Sequence, residues 1–252
     1  VVESDESDGS FLRLPATIKG WWPFLVMGVL NNAIPFSLVC TGQQWIASGL
    51  ASVINATTPL FTALVMASFG EEPLTARRVV GVIIGLVGVA ILSGTAFDAG
   101  SVRALGIACC LGAALSYGFS GLWGRRHLAS VPPLTSATCQ LVSSSAVMAL
   151  LAAAIDAPWR LPMPSSSLWL ALLGFGAIST ALAYIVFFQI LVRSGASNVM
   201  LVTLLIPATS VLLGHVCLGE ELHFRELLGA FVIASSLLIV DGRIFSFIFR
   251  TK

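Results

Sequence analysis

Apolar residues run almost unbroken over eight stretches of the chain, 22–46, 48–70, 76–94, 103–124, 132–155, 167–191, 196–218 and 227–242, with short connections between them. A helix needs about 20 apolar residues to cross the hydrocarbon layer of a bilayer, and these runs lie near that length. A transmembrane barrel would alternate polar and apolar positions, but a run such as Gly81-Val82-Ile83-Ile84-Gly85-Leu86-Val87-Gly88 is apolar on every side. Lipid offers no partner to an unpaired backbone amide, which leaves helices as the spanning element. The pattern predicts an all-α polytopic membrane protein, with eight transmembrane helices in this chain and no room for a separate soluble domain.

Composition agrees. Of the 252 residues 57% are hydrophobic and 10% charged, with a mean hydropathy of +0.95, whereas a soluble domain carries about 25% charged residues. The net charge of +1 provides no basic field for nucleic acid. The placement of the cations says more than their sum, because Lys and Arg are retained on the cytoplasmic side during insertion. With eight spans both termini share one side. That side holds Arg13, Lys19, Arg77, Arg78, Arg125, Arg126, Arg193, Arg243, Arg250 and Lys252, against Arg103, Arg160 and Arg225 on the other. The predicted location is the cell membrane, inner or plasma, with both ends of the chain cytoplasmic. Trp21, Trp22, Trp45, Trp123, Trp159 and Trp169 fall at or near run ends, where the headgroup zone favours an amphipathic ring. Cys40, Cys109, Cys110, Cys139 and Cys217 lie inside the runs without ligand-like spacing and read as packing residues.

Comparing the chain with itself at an offset of 148 residues (207 minus 59) pairs Pro59 with Pro207, Glu72 with Glu220, Leu74 with Leu222, Arg77 with Arg225, Gly81 with Gly229 and Gly28 with Gly176. Hydrophobic composition alone would not place Pro, Glu, Arg and Gly in one register. The paired helices are five spans apart, an odd number, so the two copies cross the membrane in opposite senses. Such inverted repeats are common in secondary transporters, where the pseudo-symmetry relates two access states. The second copy, 103–243, has five helices, whereas 22–94 has three. The expected fold is therefore a ten-helix, 5+5 inverted repeat of which this chain lacks the first two helices. Residues 1–21 are expected as a cytoplasmic loop or N-terminal stretch and 244–252 as a basic tail; Ser4-Asp5-Glu6-Ser7-Asp8 reads as an inter-helix loop rather than a leader.

Several stretches resemble a known family. Asn31-Asn32-Ala33-Ile34-Pro35-Phe36-Ser37-Leu38, Gln43, Ile46 to Ser52 and Asn55-Ala56-Thr57-Thr58-Pro59-Leu60-Phe61-Thr62 are similar to the first half of EamA-like members of the drug/metabolite transporter superfamily. Tyr117-Gly118-Phe119, Gln140, Pro158-Trp159, Ser179 to Tyr184, Leu201 to Pro207 and Leu218-Gly219-Glu220 are similar to its second half. The resemblance covers about 22–243. It implies a fold of two five-helix inverted halves and transport, often export, of amino acids or related metabolites.

No Asp, Glu, Lys or Arg falls in the middle of a run, so the sequence offers no mid-membrane carboxylate for a proton relay. What the runs carry instead is amides, hydroxyls and aromatics, which are costly against lipid and should face other helices or a wet cavity. Asn31 and Asn32 lie at mid-run, as do Ser179, Thr180 and Tyr184 in the run that the offset pairs with theirs; Gln43, Tyr117 and Gln140 are further candidates. Each fits two roles, lining a solute site or hydrogen bonding between helices. Pro59 and Pro207 each remove a backbone hydrogen bond, as a hinge or as a static kink. Glu72 and Glu220, near Arg77, Arg78 and Arg225 at run ends, read as gate ion pairs or as solvated loop charges. Gly81, Gly85 and Gly88 share one helical face and read as close packing.

The expected function is a secondary transporter, an exporter of small polar metabolites such as amino acids, working by alternating access. A channel or a non-transporting sensor shares the gross architecture. An intramembrane transferase fits poorly, because His127, His215 and His223 are dispersed and no carboxylates pair within a run. No phosphate-binding glycine loop exists for an ATP-driven pump. No cofactor or metal is called for; the expected partners are a small solute, the bilayer and, as a candidate, a second copy of the chain.

Overall fold

A computed structural model of the protein describes residues 14–73, 75–93, 102–160, 162–183, 186, 206, 209–221 and 223–241. Among these residues the regular structure is helical: α1 (Ile18–Gly28), a π-helical turn (Val29–Ala33), α2 (Ile34–Gly42), α3 (Ser48–Asn55), α4 (Thr58–Ser68), α5 (Ala76–Ser93), α6 (Val102–His127), α7 (Pro133–Ile155), α8 (Ser166–Gly174), a second π-helical segment (Phe175–Leu182), α9 (Thr209–Leu218) and α10 (Phe224–Asp241). Four continuous helices in the described residues are long and apolar enough to cross a membrane: Ile18–Gly42, Ser48–Ser68, Val102–His127 and Pro133–Ile155. Ser166–Ser179 and Thr209–Leu218 are apolar but shorter over the described residues.

The first span begins four residues earlier than the hydrophobic run and ends four earlier. Thr17 sets its start by accepting from the Gly20 N–H at 3.3 Å. Residues 43–46, although inside the apolar run, turn the chain through bonds from Gln43, Trp45 and Ile46 back to Val39 and Gly42. The π-helical turn interrupts this span just before Pro35, which has no N–H to give to the Asn31 carbonyl, so the wider turn falls where the regular ladder is already broken.

The second span is bent between α3 and α4, and Pro59 sits in the first turn of α4 rather than deep in a helix. The carbonyl of Asn55, left without the proline's N–H, accepts from the Thr58 hydroxyl at 2.7 Å, and the Ile54 carbonyl accepts from the Thr57 hydroxyl at 2.6 Å. Hydroxyls thus hold the bend where lipid could not. The core lies around α3, whose Leu50, Ala51, Val53 and Ile54 pack with Ile107 and Cys110 of α6 and Ile233 of α10.

Close approaches occur at glycines. A Cβ at Gly42 of α2 would stand 2.9 Å from the Gly106 carbonyl of α6, and one at Gly106 would stand 3.0 Å from the Gly42 carbonyl. On α5, Gly81, Gly85 and Gly88 face Val240, Ser236 and Ile233 of α10, as the stripe predicts, while Ile83, Leu86 and Val87 are exposed on the opposite side.

Candidate functional site

The π-helical turn places Asn31 and Asn32 against α6 and α7. Asn32, 5% exposed, donates from Nδ2 to the Ser144 hydroxyl of α7 at 3.0 Å, and that hydroxyl donates in turn to the Leu141 carbonyl. The Ser116 hydroxyl of α6 donates to the Leu30 carbonyl within the turn at 2.7 Å, and the Ser120 hydroxyl lies 3.0 Å from Asn31 Oδ1. Gly28 permits the arrangement: a Cβ there would meet the Gln140 carbonyl at 2.7 Å and the Ser144 amide at 3.0 Å, so α1 approaches α7 closely enough for Asn32 to reach Ser144. Gln140, one turn before Ser144, is buried, and its Oε1 has no hydrogen-bond partner among the described residues. An unpaired buried acceptor costs about 1–3 kcal/mol, so a donor at Gln140 Oε1 would be stabilising.

The second π-helical segment, 175–182, contains 177–181, the positions that the offset of 148 pairs with 29–33. A widened turn therefore recurs around Ser179, as around Asn31 and Asn32. Ser179 is exposed; the side chain of Thr180, and Tyr184 and Pro207 entirely, lie outside the described residues. Tyr117 is half-buried on α6, one residue from Ser116. Gln43 stands apart from the cluster, exposed in the turn after α2. Ser116, Ser120 and Ser144 were not singled out from the sequence. Serines at 116 and 120 share one face of an apolar helix, which is the signal that could have found them.

Of the two glutamates at the run ends, Glu72 meets one of the expected arginines, Arg78, together with Arg125, whereas Glu220 meets the start of a helix. Glu72 pairs with Arg78 at 2.6 Å and with Arg125 at 2.7 Å, while Glu71 pairs with Arg126 at 2.6 Å and Arg125 at 3.5 Å. Arg77 is exposed. Glu220 is bound by the start of α3: its Oε1 accepts from the Ser48 N–H at 2.8 Å and the Ser48 hydroxyl at 2.6 Å, and its Oε2 from the Gly49 N–H at 3.1 Å. Burial alone would raise the pKa of this carboxyl, but the three bonds from Ser48 and Gly49 outweigh it and hold the pKa below the ordinary carboxylate range. Arg225 Nε has no hydrogen-bond partner among the described residues, and its neighbour Glu226 pairs with Arg103 at 3.0 Å.

Apolar spans with a polar cluster at mid-depth and charges at their ends define a multi-pass membrane protein. The EamA-like transporter family matches residues 9–94 and 104–240, and the chain belongs to that family. It is 26% identical over 231 residues to YvbV of Bacillus subtilis (strain 168), named an uncharacterized transporter, covering 90% of this chain and 74% of the relative. It is 29% identical over 221 residues to YedA of Escherichia coli (strain K12), named an uncharacterized inner membrane transporter, covering 85% and 69%. A solved crystal structure superposes with a TM-score of 0.60 over 92% of this chain and 78% of its own, at 22% identity, a likeness of fold.

Proposed function

We propose that this protein is a secondary transporter that exports small polar solutes, amino acids or related metabolites, by alternating access within a ten-helix, 5+5 inverted-repeat fold. The observation that carries the reading is the mid-span polar cluster on a π-helical turn, with Asn32 bound to Ser144 and Gln140 Oε1 unpaired beside it. A solute bearing an ammonium or amide N–H would satisfy that acceptor. The recurrence of a π-helical segment at 175–182 supports the repeat, because such turns are uncommon and concentrate at functional sites. In this reading Asn31, Asn32, Gln140 and Tyr117 line one half of the site, and Ser179, Thr180 and Tyr184 the other. Pro59 allows the bend between α3 and α4, and the same role is assigned to Pro207 by the offset. The end bearing Arg77, Arg78, Arg125 and Arg126 is cytoplasmic.

The test is counterflow in liposomes containing the purified chain and preloaded with a panel of unlabelled neutral amino acids. A carrier accumulates the labelled amino acid transiently and saturates. A channel passes it without stimulation by internal solute, and a sensor passes none; either result would overturn the proposal. Asn32→Ala is expected to lower counterflow about tenfold, as loss of one buried polar contact worth about 1.4 kcal/mol would, while the protein stays monodisperse in detergent. Counterflow equal to the parent's would remove Asn32 from the site.

A further inference from the structure

α3 begins without a cap of its own: its N-cap residue is Ala47, which has no side-chain acceptor, and Glu220, 172 residues away, supplies the cap instead. The fit is built from both sides. Gly214 of α9 and Gly49 of α3 leave the space the carboxylate occupies, since a Cβ at either would press on Oε2. Gly219, with φ +67°, turns the chain after α9 so that Glu220 points back at α3, and the loop is held by the Glu220 N–H on the Gly214 carbonyl and by the His215 ring on the Glu220 carbonyl. One turn along α3, the Ser210 hydroxyl of α9 donates to Ser52 Oγ at 2.7 Å. These contacts join the two stretches that match the family separately.

Behind them α3 carries a polar row. Ser48, Ser52 and Asn55 recur at i, i+4 and i+7 on one face, and the Oδ1 of Asn55, about 10 Å from the capped end at 1.5 Å per residue, has no partner among the described residues. A small cavity lined by Ala47, Leu50, Val211, Glu220, Glu226 and Leu227 adjoins the carboxylate. This polar face runs from the Glu220 clasp toward the middle of the span, and the Arg103–Glu226 pair stands at the same end.

We propose that Glu220 is the latch of a gate at this end of the bundle: its carboxylate clasps the start of α3 to the α9–α10 turn, and its release opens the row Ser48–Ser52–Asn55 to water. The proposal rests on the carrier reading, but its first test needs no transported solute. Ser52→Cys is introduced, and reaction of the new thiol with a membrane-impermeant maleimide is followed in reconstituted protein against the parent lacking that substitution. Adding Glu220→Ala is expected to raise the labelling rate about fivefold or more, the factor that loss of a charged helix cap produces in a two-state equilibrium. A cap that only stiffened α3 would lower the melting temperature and leave labelling unchanged, and that result overturns the latch. Should Glu220→Ala aggregate, Glu220→Gln decides, with the same rise expected in smaller degree and an unchanged rate overturning it.

A second arm leaves Glu220 intact. Ser52→Cys with Ser210→Cys is oxidised to the disulfide, which should abolish amino-acid counterflow reversibly on reduction; undiminished counterflow in the crosslinked protein overturns the latch. If the parent shows no counterflow while Glu220→Ala still exposes the thiol introduced at position 52, the latch stands and the carrier reading falls.

Discussion

The two ends of the bundle hold charge in different ways. At one end Glu71 and Glu72 meet Arg78, Arg125 and Arg126 side chain to side chain, with Arg125 and Arg126 45% and 41% exposed. At the other end, beside the Arg103–Glu226 pair, the Glu220 carboxylate is bound by backbone amides and a hydroxyl and joins elements 172 residues apart. The sequence offset treats Glu72 and Glu220 as equivalents, and their turns do close alike: the Glu72 N–H reaches the Met66 carbonyl at 3.4 Å and the Glu220 N–H the Gly214 carbonyl at 3.1 Å. Equivalent backbone thus carries unlike side-chain partners at the two ends. Long, exposed side chains on the Arg cluster contribute little and adjust readily, whereas the helix cap is short, geometrically strict and switchable.

The largest expected difference is in stability. Glu220→Ala should lower the unfolding free energy in detergent by about 1–2 kcal/mol, as loss of a helix cap does, whereas Glu72→Ala should change it by about 0.5 kcal/mol or less, as for exposed ion pairs. Thermal melts of the purified variants measure both. Equal losses would erase the contrast between the ends.

Next comes pH. The Glu220 pKa is lowered in the clasped state, so the clasp is fully present above the ordinary carboxylate range and is lost as pH falls through the lowered value. Near it are His215 of α9, Glu221 on its own turn, and Glu226 of α10, which pairs with Arg103 of α6; Arg225 lies beside Glu226, and residues 47–55 of α3 bring no titratable side chain. Expressed relative to the rate of a small free thiol at each pH, which removes the fall in thiolate fraction, maleimide labelling of the Ser52→Cys protein should therefore rise on acidification, and Glu220→Gln should remove that dependence. A profile that persists in Glu220→Gln would assign the titration to another of these groups.

Much of this was legible in the residues and some could not have been. The helical class follows from unbroken apolar runs, and Gly81, Gly85 and Gly88 packed as their spacing predicts because a Cβ-free face has one obvious use. Asn31 and Asn32, amides at mid-run in an apolar helix, have hydrogen-bond partners on neighbouring helices, as their position required. Helix ends differ from the run ends because hydropathy does not register a Thr17 cap or the turn at 43–46, where Gln43 lies. The partner of Glu220 was hidden for a different reason. Nearby arginines are visible in sequence, but the free amides of a distant helix start belong to backbone and carry no residue signature.

The smallest effect belongs to the Arg cluster, and it is the most direct check on why the ends differ. Arg126 donates to Glu71 at 2.6 Å and also lies 5.5 Å from the centre of the Phe69 ring, so its truncation removes packing as well as charge. Single variants therefore overstate the ion pair, and only a double-mutant cycle on Glu71 and Arg126 isolates it. The coupling should be about 0.5 kcal/mol at low ionic strength and should fade near 1 M salt, where the screening length falls to about 3 Å. The clasp at Glu220 should keep its strength under the same salt, because its donors are backbone amides at hydrogen-bond distance in a half-buried pocket rather than mobile cations. If melts show the two ends losing stability in parallel as salt rises, the clasp is an ordinary surface charge contact and the distinction between the ends fails.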